Sequence, residues 1–173
     1  QRDFYVISFI TQQIFNSYKG VDSLLACIKK YGNQFENAKI KFQFIGDGPN
    51  IDIGILKYGQ ESKISENEMQ RIYLNTDLLI VPSSGDNSPN IIFEALSCGV
   101  PFICSDRGGL PELAEFFHME SFEFGNPDSM FEAIMKQKSK LVSTSKLRET
   151  VLSITHPTVV ANEHAELYKS KLT

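Results

Sequence analysis

Two carboxylates eight positions apart, Asp86 and Glu94, lie in the segment Pro82-Ser-Ser-Gly-Asp-Asn-Ser-Pro-Asn-Ile-Ile-Phe-Glu94. A carboxylate accepts two hydroxyl hydrogen bonds, which is the chemistry of holding a sugar. Between the acids the pattern reads as the start of a helix. Such a start offers unpaired N–H groups and about half a positive charge, which suits a phosphate. Asn90 and Ile91 would present those N–H groups, whereas Pro89 has none to give. The same residues also fit a plain capped helix, with Ser88 as N-cap, Pro89 as first helical residue and Glu94 as a solvated charge.

Three further places could carry chemistry. Lys19-Gly20 pairs a point charge for a diphosphate with a residue that lets the chain turn close to a ligand. Alone, Lys19 is equally one exposed lysine among many. Gly46-Asp47-Gly48-Pro49 could pass close to a ligand or form a tight turn. It departs from the dinucleotide fingerprint, because Pro49 and Asn50 stand where that pattern runs into a helix. A nicotinamide-dependent dehydrogenase is therefore disfavoured. In Asp106-Arg107-Gly108-Gly109-Leu110-Pro111-Glu112, the glycines permit close backbone approach and Arg107 could meet a phosphate. A flexible loop before a helix explains that segment as well.

The elements that must position these loops follow from periodicity. Strands are expected at Phe4 to Ile10, Lys39 to Ile45, within Ile51 to Tyr58, at Asp77 to Val81, Val100 to Cys104 and Ser121 to Phe124. Val21, Leu24, Leu25 and Ile28 recur at helical spacing over 21–31. Ser65 and Glu68 form a capping box ahead of Met69, Ile72 and Tyr73. Helices are also expected at 90–97 with Gly99 as its stop, at Glu112 to Phe117 with Pro111 as first helical residue, at about 126–136, over Leu141 to Ser153, and from Pro157 onward. Strands alternating with helices imply an α/β domain with a mostly parallel sheet covered on both faces. Ligands in such sheets sit beyond the C-terminal strand ends, so the loops that matter are 11–20, 46–50, 82–90 and 105–111.

Composition narrows the function. The 173 residues are 42% hydrophobic and 22% charged, which suits one globular domain. A formal charge of −4 disfavours a nucleic-acid partner. Cys27, Cys98 and Cys104 form no Cys-x-x-Cys pair, and His118, His156 and His164 share no ligand spacing. Buried thiols in a reducing compartment are expected, with neither disulfides nor a metal site. The chain opens at Gln1 with no charged-then-apolar leader, so it reads as a processed chain or a segment of a longer one.

Taken in order, Lys19-Gly20, Gly46-Asp-Gly-Pro49, Asp77-Leu-Leu-Ile-Val-Pro-Ser83, Glu94-Ala-Leu-Ser-Cys-Gly-Val-Pro101 and Gly108-Gly-Leu-Pro-Glu112 resemble the donor domain of the large retaining glycosyltransferase family with the two-domain GT-B fold. The resemblance spans about Phe4 to Ile134. It implies a Rossmann-like three-layer α/β/α domain over 1–173, one half of a GT-B fold, with the N-terminal acceptor domain absent. It implies a nucleotide-diphosphate sugar as substrate, retaining transfer of a hexose-type sugar, and no cofactor or metal. The partner would be a glycan or lipid-linked acceptor held by the other domain. The setting would be cytoplasmic, with room for peripheral attachment to the inner face of a membrane. The fragment alone would be inactive.

The resemblance also implies roles. Glu94 is similar to the family's ribose-binding carboxylate, and Asp86 stands where the family usually has a Glu that holds the donor sugar. Asn90 and Ile91 match the phosphate contacts at the helix start, and Lys19 matches the lysine that neutralises the leaving diphosphate. Lys19 and Asp86 would be catalytic. Donor contacts would come from Lys19, Gly20, Gly46, Gly48, Asp86, Ser88, Asn90, Ile91, Glu94, Gly108 and Gly109, with base contacts around Leu56 to Gly59. The wording Asp-Asn-Ser-Pro-Asn resembles a subgroup common in polysaccharide biosynthesis. One departure stands out: many members carry an arginine five to six positions before the lysine, and here those positions are Gln13 and Ile14. Arg107 or the absent domain would have to compensate, unless Lys19 works alone. A nucleotide-sugar epimerase half and a nucleotide-binding module that has lost catalysis are the competing readings.

Overall fold

The structure is a computed structural model that describes residues 3–48, 56–58 and 64–171, the backbone alone at 56–58 and 171. Pro49, Asn50 and Gly59, named above as turn and base-contact positions, lie outside the described residues.

Six strands form one parallel sheet: β1 (Tyr5–Gln13), β2 (Ile40–Asp47), β3 (Leu56–Tyr58), β4 (Leu78–Val81), β5 (Phe102–Ser105) and β6 (Ser121–Phe122). Their order is β3-β2-β1-β4-β5-β6. The helices are α1 (Val21–Asn37), α2 (Glu66–Leu74), α3 (Asn90–Ser97), α4 (Leu110–Phe116), α5 (Pro127–Ser139), α6 (Thr144–Thr155) and α7 (Pro157–Lys171). Chain order reverses between β1 and β4, which makes the crevice beyond their C-terminal ends the natural ligand position.

Burial on both faces explains the continuous apolar strands. All four residues of β4 and of β5 are buried. Ile7, Phe9, Leu78, Ile80 and Ile103 point to one face, where α1 and α5 supply Leu24, Ile28, Phe35, Met130 and Ile134. Leu79, Val81, Phe102 and Cys104 point to the other, against Tyr73 and the apolar sides of α3, α4 and α6. Each large side chain so buried stabilises the fold by about 1.5–3 kcal/mol. The α/β/α layering expected from the sequence is therefore present. Cys27, Cys98 and Cys104 are free thiols, buried except for Cys98, which is half-buried. Burial pushes the Cys104 thiol up to about 12.

The register of β1 on β4 is held by polar groups. The Val6 N–H donates to Asp77 Oδ2 at 2.8 Å, and the Asp77 N–H donates to the Val6 carbonyl, also at 2.8 Å. The buried hydroxyls of Ser8 and Thr76 meet at 2.7 Å. These contacts set the heights at which the β1 and β4 loops emerge.

Several boundaries differ from the periodic reading. Helix α1 continues past residue 31 to Asn37, through a kink at Tyr31, because Phe35 repeats the stripe seven positions after Ile28 and reaches the core at 3% exposure. Strand β1 runs three residues further, pairing Gln13 with Asp47 after a register shift. Gly46, at φ 141°, permits this, since a Cβ there would stand 2.0 Å from the Thr11 carbonyl oxygen. Helix α4 begins at Leu110, so Pro111 is its second residue rather than its first. Helix α6 begins at Thr144, capped by the Ser143 side chain. Among the described residues no helix is long and apolar enough to cross a membrane.

Candidate functional site

The β1 loop ends in a 3-10 turn, Ser17–Lys19, because the Asn16 side chain accepts from the Tyr18 N–H at 3.0 Å. Gly20 then turns left-handed, at φ 73°, and starts α1. A Cβ at Gly20 would stand 1.8 Å from the Pro82 carbonyl oxygen. No other residue type fits there, and the two loops are locked back to back. The Ser84 N–H donates to the Tyr18 carbonyl at 2.8 Å, joining them again.

This contact brings Lys19 to the β4 loop, where its ammonium donates to Asp86 Oδ2 at 2.9 Å. Both line a small concavity, together with Phe9, Ile10, Pro82, Ser83, Pro89 and Ile91. It lies at the reversal of strand order, with the start of α3 on its rim. Sequence reasoning named both residues, and the fold brings them together across 67 positions.

The start of α3 differs from the capped-helix reading. Pro89, not Ser88, is the N-cap, and no side chain caps the helix. Ser88 is exposed, and the N–H groups of Asn90 and Ile91 have no acceptor among the described residues. An uncapped start retains its partial positive charge for a ligand.

Gly108 and Gly109 do approach another backbone closely, but it belongs to the β4 loop. A Cβ on Gly108 would stand 2.4 Å from the Asp86 carbonyl oxygen, and one on Gly109 2.4 Å from that of Asn87. The Gly109 N–H donates to the Asp86 carbonyl at 3.0 Å. These glycines brace the Asp86 loop from behind. Arg107 turns to Asp106, at 3.4 Å, and lies 5.8 Å over the Phe124 ring. Gly46 packs on Thr11, and Gly48 on Ile14 and Phe15; neither lines the concavity. Ile14, at one of the positions where the family carries arginine, is a core residue at 1% exposure.

Glu94 lies one turn into α3, exposed and outside the lining of the concavity. Its Oε2 accepts from the Tyr73 hydroxyl at 2.8 Å. Periodicity had marked Tyr73 only as an apolar position of α2. The signal that could have found its role is chemical: a buried tyrosine needs a partner for its hydroxyl. Among the described residues no group of three or more His, Cys, Asp or Glu side chains could hold a metal.

A six-stranded parallel sheet with its crevice between β1 and β4 defines a Rossmann-like half of a GT-B fold. Solved chains agree: sucrose-phosphate synthase from Thermosynechococcus elongatus superimposes with a TM-score of 0.74 at 17% identity, over 98% of this chain and 46% of that one. Anabaena Alr3699/HepE, solved with UDP and glucose, gives 0.74 at 14% identity, over 97% and 49%.

The chain belongs to the group 1 glycosyl transferases, whose family pattern it matches over residues 5–137. It is a C-terminal-type domain of a GT-B glycosyltransferase. Among curated relatives, the phosphatidylinositol N-acetylglucosaminyltransferase gpi3 subunit of Schizosaccharomyces pombe is 27% identical over 77% of this chain and 30% of its own length. Sulfoquinovosyl transferase SQD2 of Arabidopsis thaliana is 28% identical over 54% and 19%. The chain thus spans less than a third of these relatives.

Proposed function

We propose that this domain binds a nucleotide-diphosphate sugar and presents it for retaining transfer of a hexose-type sugar. The acceptor, a glycan or a lipid-linked glycan, is held by a second domain, and this half alone transfers nothing. The observation that carries the reading is the meeting of Lys19 and Asp86 at 2.9 Å beside the uncapped start of α3. A cation and a helix start together suit a diphosphate, and a carboxylate beside them suits sugar hydroxyls. The UDP and glucose bound in the Anabaena structure support the same ligand class.

In the reaction, the bond from the anomeric carbon to the diphosphate oxygen breaks. A bond to the acceptor oxygen forms on the same face, and the acceptor's hydroxyl proton passes to the departing diphosphate oxygen. The electron pair leaves with the diphosphate, and Lys19 and the α3 N-terminus stabilise the charge that develops there. Asp86 orients the sugar, and Glu94 holds the ribose. The reading calls on no metal. It places the protein in the cytoplasm, working on acceptors at or near the inner face of a membrane and serving polysaccharide biosynthesis.

Calorimetric titration with UDP, GDP, ADP and NAD tests the reading. Saturable binding of one nucleoside diphosphate is expected, weakened by about 1.5–3 kcal/mol in Glu94→Ala, the range for losing a hydrogen bond to a charged group. Preference for NAD, or unchanged affinity in Glu94→Ala, would remove the assignment.

A second reading, a binding module without catalysis, draws on Ile14. Its burial leaves no room for a second cation at that position, so diphosphate neutralisation would rest on Lys19. Turnover by a two-domain form would exclude it.

A further inference from the structure

Tyr73 lies in the last turn of α2 at 2% exposure, within the buried apolar cluster that also holds Leu79 of β4 and Ile92 and Ala95 of α3. A phenol so buried cannot turn to water, so its hydroxyl must find a partner within the protein. The partner is the carboxylate of Glu94, 21 residues on, at 2.8 Å. Burial first, and then this hydrogen bond, push the phenol's ionisation upward, so it remains a donor throughout the physiological range.

Glu94 itself is exposed. An exposed glutamate samples many rotamers, and ordering it on a ligand costs side-chain entropy. A donor fixed by the core removes part of that cost beforehand. It occupies Oε2 only; among the described residues Oε1 accepts no hydrogen bond and is open to a diol.

We infer that Tyr73 is the positioning residue for Glu94, the buried anchor that aims this carboxylate at the ribose hydroxyls of a nucleoside diphosphate. The inference rests on the ribose-binding reading of Glu94 proposed above. The rival is a plain tie between α2 and α3 that matters for folding alone.

Tyr73→Phe separates the two, because it keeps the ring in the core and removes only the hydroxyl. UDP, ADP and GDP are titrated first, and the tightest is then compared with its 2′,3′-dideoxy counterpart and with pyrophosphate. Tyr73→Phe is expected to weaken the ribose ligand roughly three- to tenfold, the size of one hydrogen bond. It leaves the dideoxy ligand and pyrophosphate unchanged and adds no loss in a Glu94→Ala background. Equal loss for ribose and dideoxy ligands would make Tyr73 a folding residue and overturn the inference. So would an undiminished affinity in Tyr73→Phe while Glu94→Ala binds weakly. If Glu94→Ala itself binds normally, the reading of Glu94 fails first. Absence of binding by the unmodified chain to all three removes both.

Discussion

Among the described residues, lysine pairs with aspartate twice across long stretches of sequence, in opposite settings. Lys19 meets Asp86 at the sheet's reversal point, with side chains 38% and 19% exposed. Lys30 meets Asp128 on the outer surface of α1 and α5, with side chains 52% and 54% exposed. The residue types are the same, but the backbone around them differs. Around the first pair three loops interlock through Gly20, Gly108 and Gly109, none of which can take a side chain without displacing a neighbouring carbonyl. Beneath the second, helix faces pack by side chains alone, with Tyr31 stacked on Phe131 at 4.1 Å. The comparison teaches that a charged pair becomes a candidate site when rigid backbone holds it in a reachable crevice. The same pair on a helix face is a solvated tie of little worth.

The sharpest way to break this contrast is at glycine. Gly20→Ala is expected to destabilise the protein by about 2–4 kcal/mol, from overpacking against Pro82 and the strained positive φ. Gly32, beside Lys30, has nothing within 4 Å of a Cβ. Gly32→Ala is expected to stabilise by about 0.5–1 kcal/mol. Denaturant melts of both variants measure this, and a similar effect at both sites would erase the distinction.

Ligand binding sharpens it next. Lys19→Ala is expected to weaken nucleoside diphosphate binding by about 1–2 kcal/mol and spare the bare nucleoside. The loss stays below the upper range for charge-assisted bonds because Lys19 gives up Asp86 when it takes a phosphate. Lys30→Ala should leave both ligands unaffected. Equal losses for nucleoside and diphosphate would assign Lys19 to folding.

The smallest effect concerns Asp128. Hydrogen bonds from Lys30 and then Tyr31 hold its carboxyl below the ordinary value. A depressed carboxylate contributes stability above its unfolded pKa, and loses it as pH falls through the folded one. The melting-temperature gap between the natural protein and Asp128→Asn should therefore be small at neutral pH, close below the ordinary carboxylate range and shrink in high salt. A gap that widens on acidification would show that another group dominates.

Much of the fold was legible because its signals are local. The alternation of Ile40, Phe42 and Phe44 marked β2, and all three are buried. The Ser65–Glu68 box marked the start of α2, and both of its bonds form, at 2.9 and 3.4 Å. Less of the candidate site was legible. Ser88 has the composition of a cap yet caps nothing, because Pro89 carries the turn. Gly108 and Gly109 read as ligand-facing, yet their close contacts are with residues 86 and 87. Tyr73 read as core, and its one polar atom went unassigned.

By itself the sequence determined the alternation of strands and helices, the residue types gathered in each loop and the family resemblance. These depend on period, caps and motif order within a few residues of each position. Only the tertiary structure decided that Lys19 reaches Asp86 and that Tyr73 reaches Glu94. Those contacts depend on strand order and register, which set loops and helices distant in the chain at matching heights, and no local pattern encodes that distance.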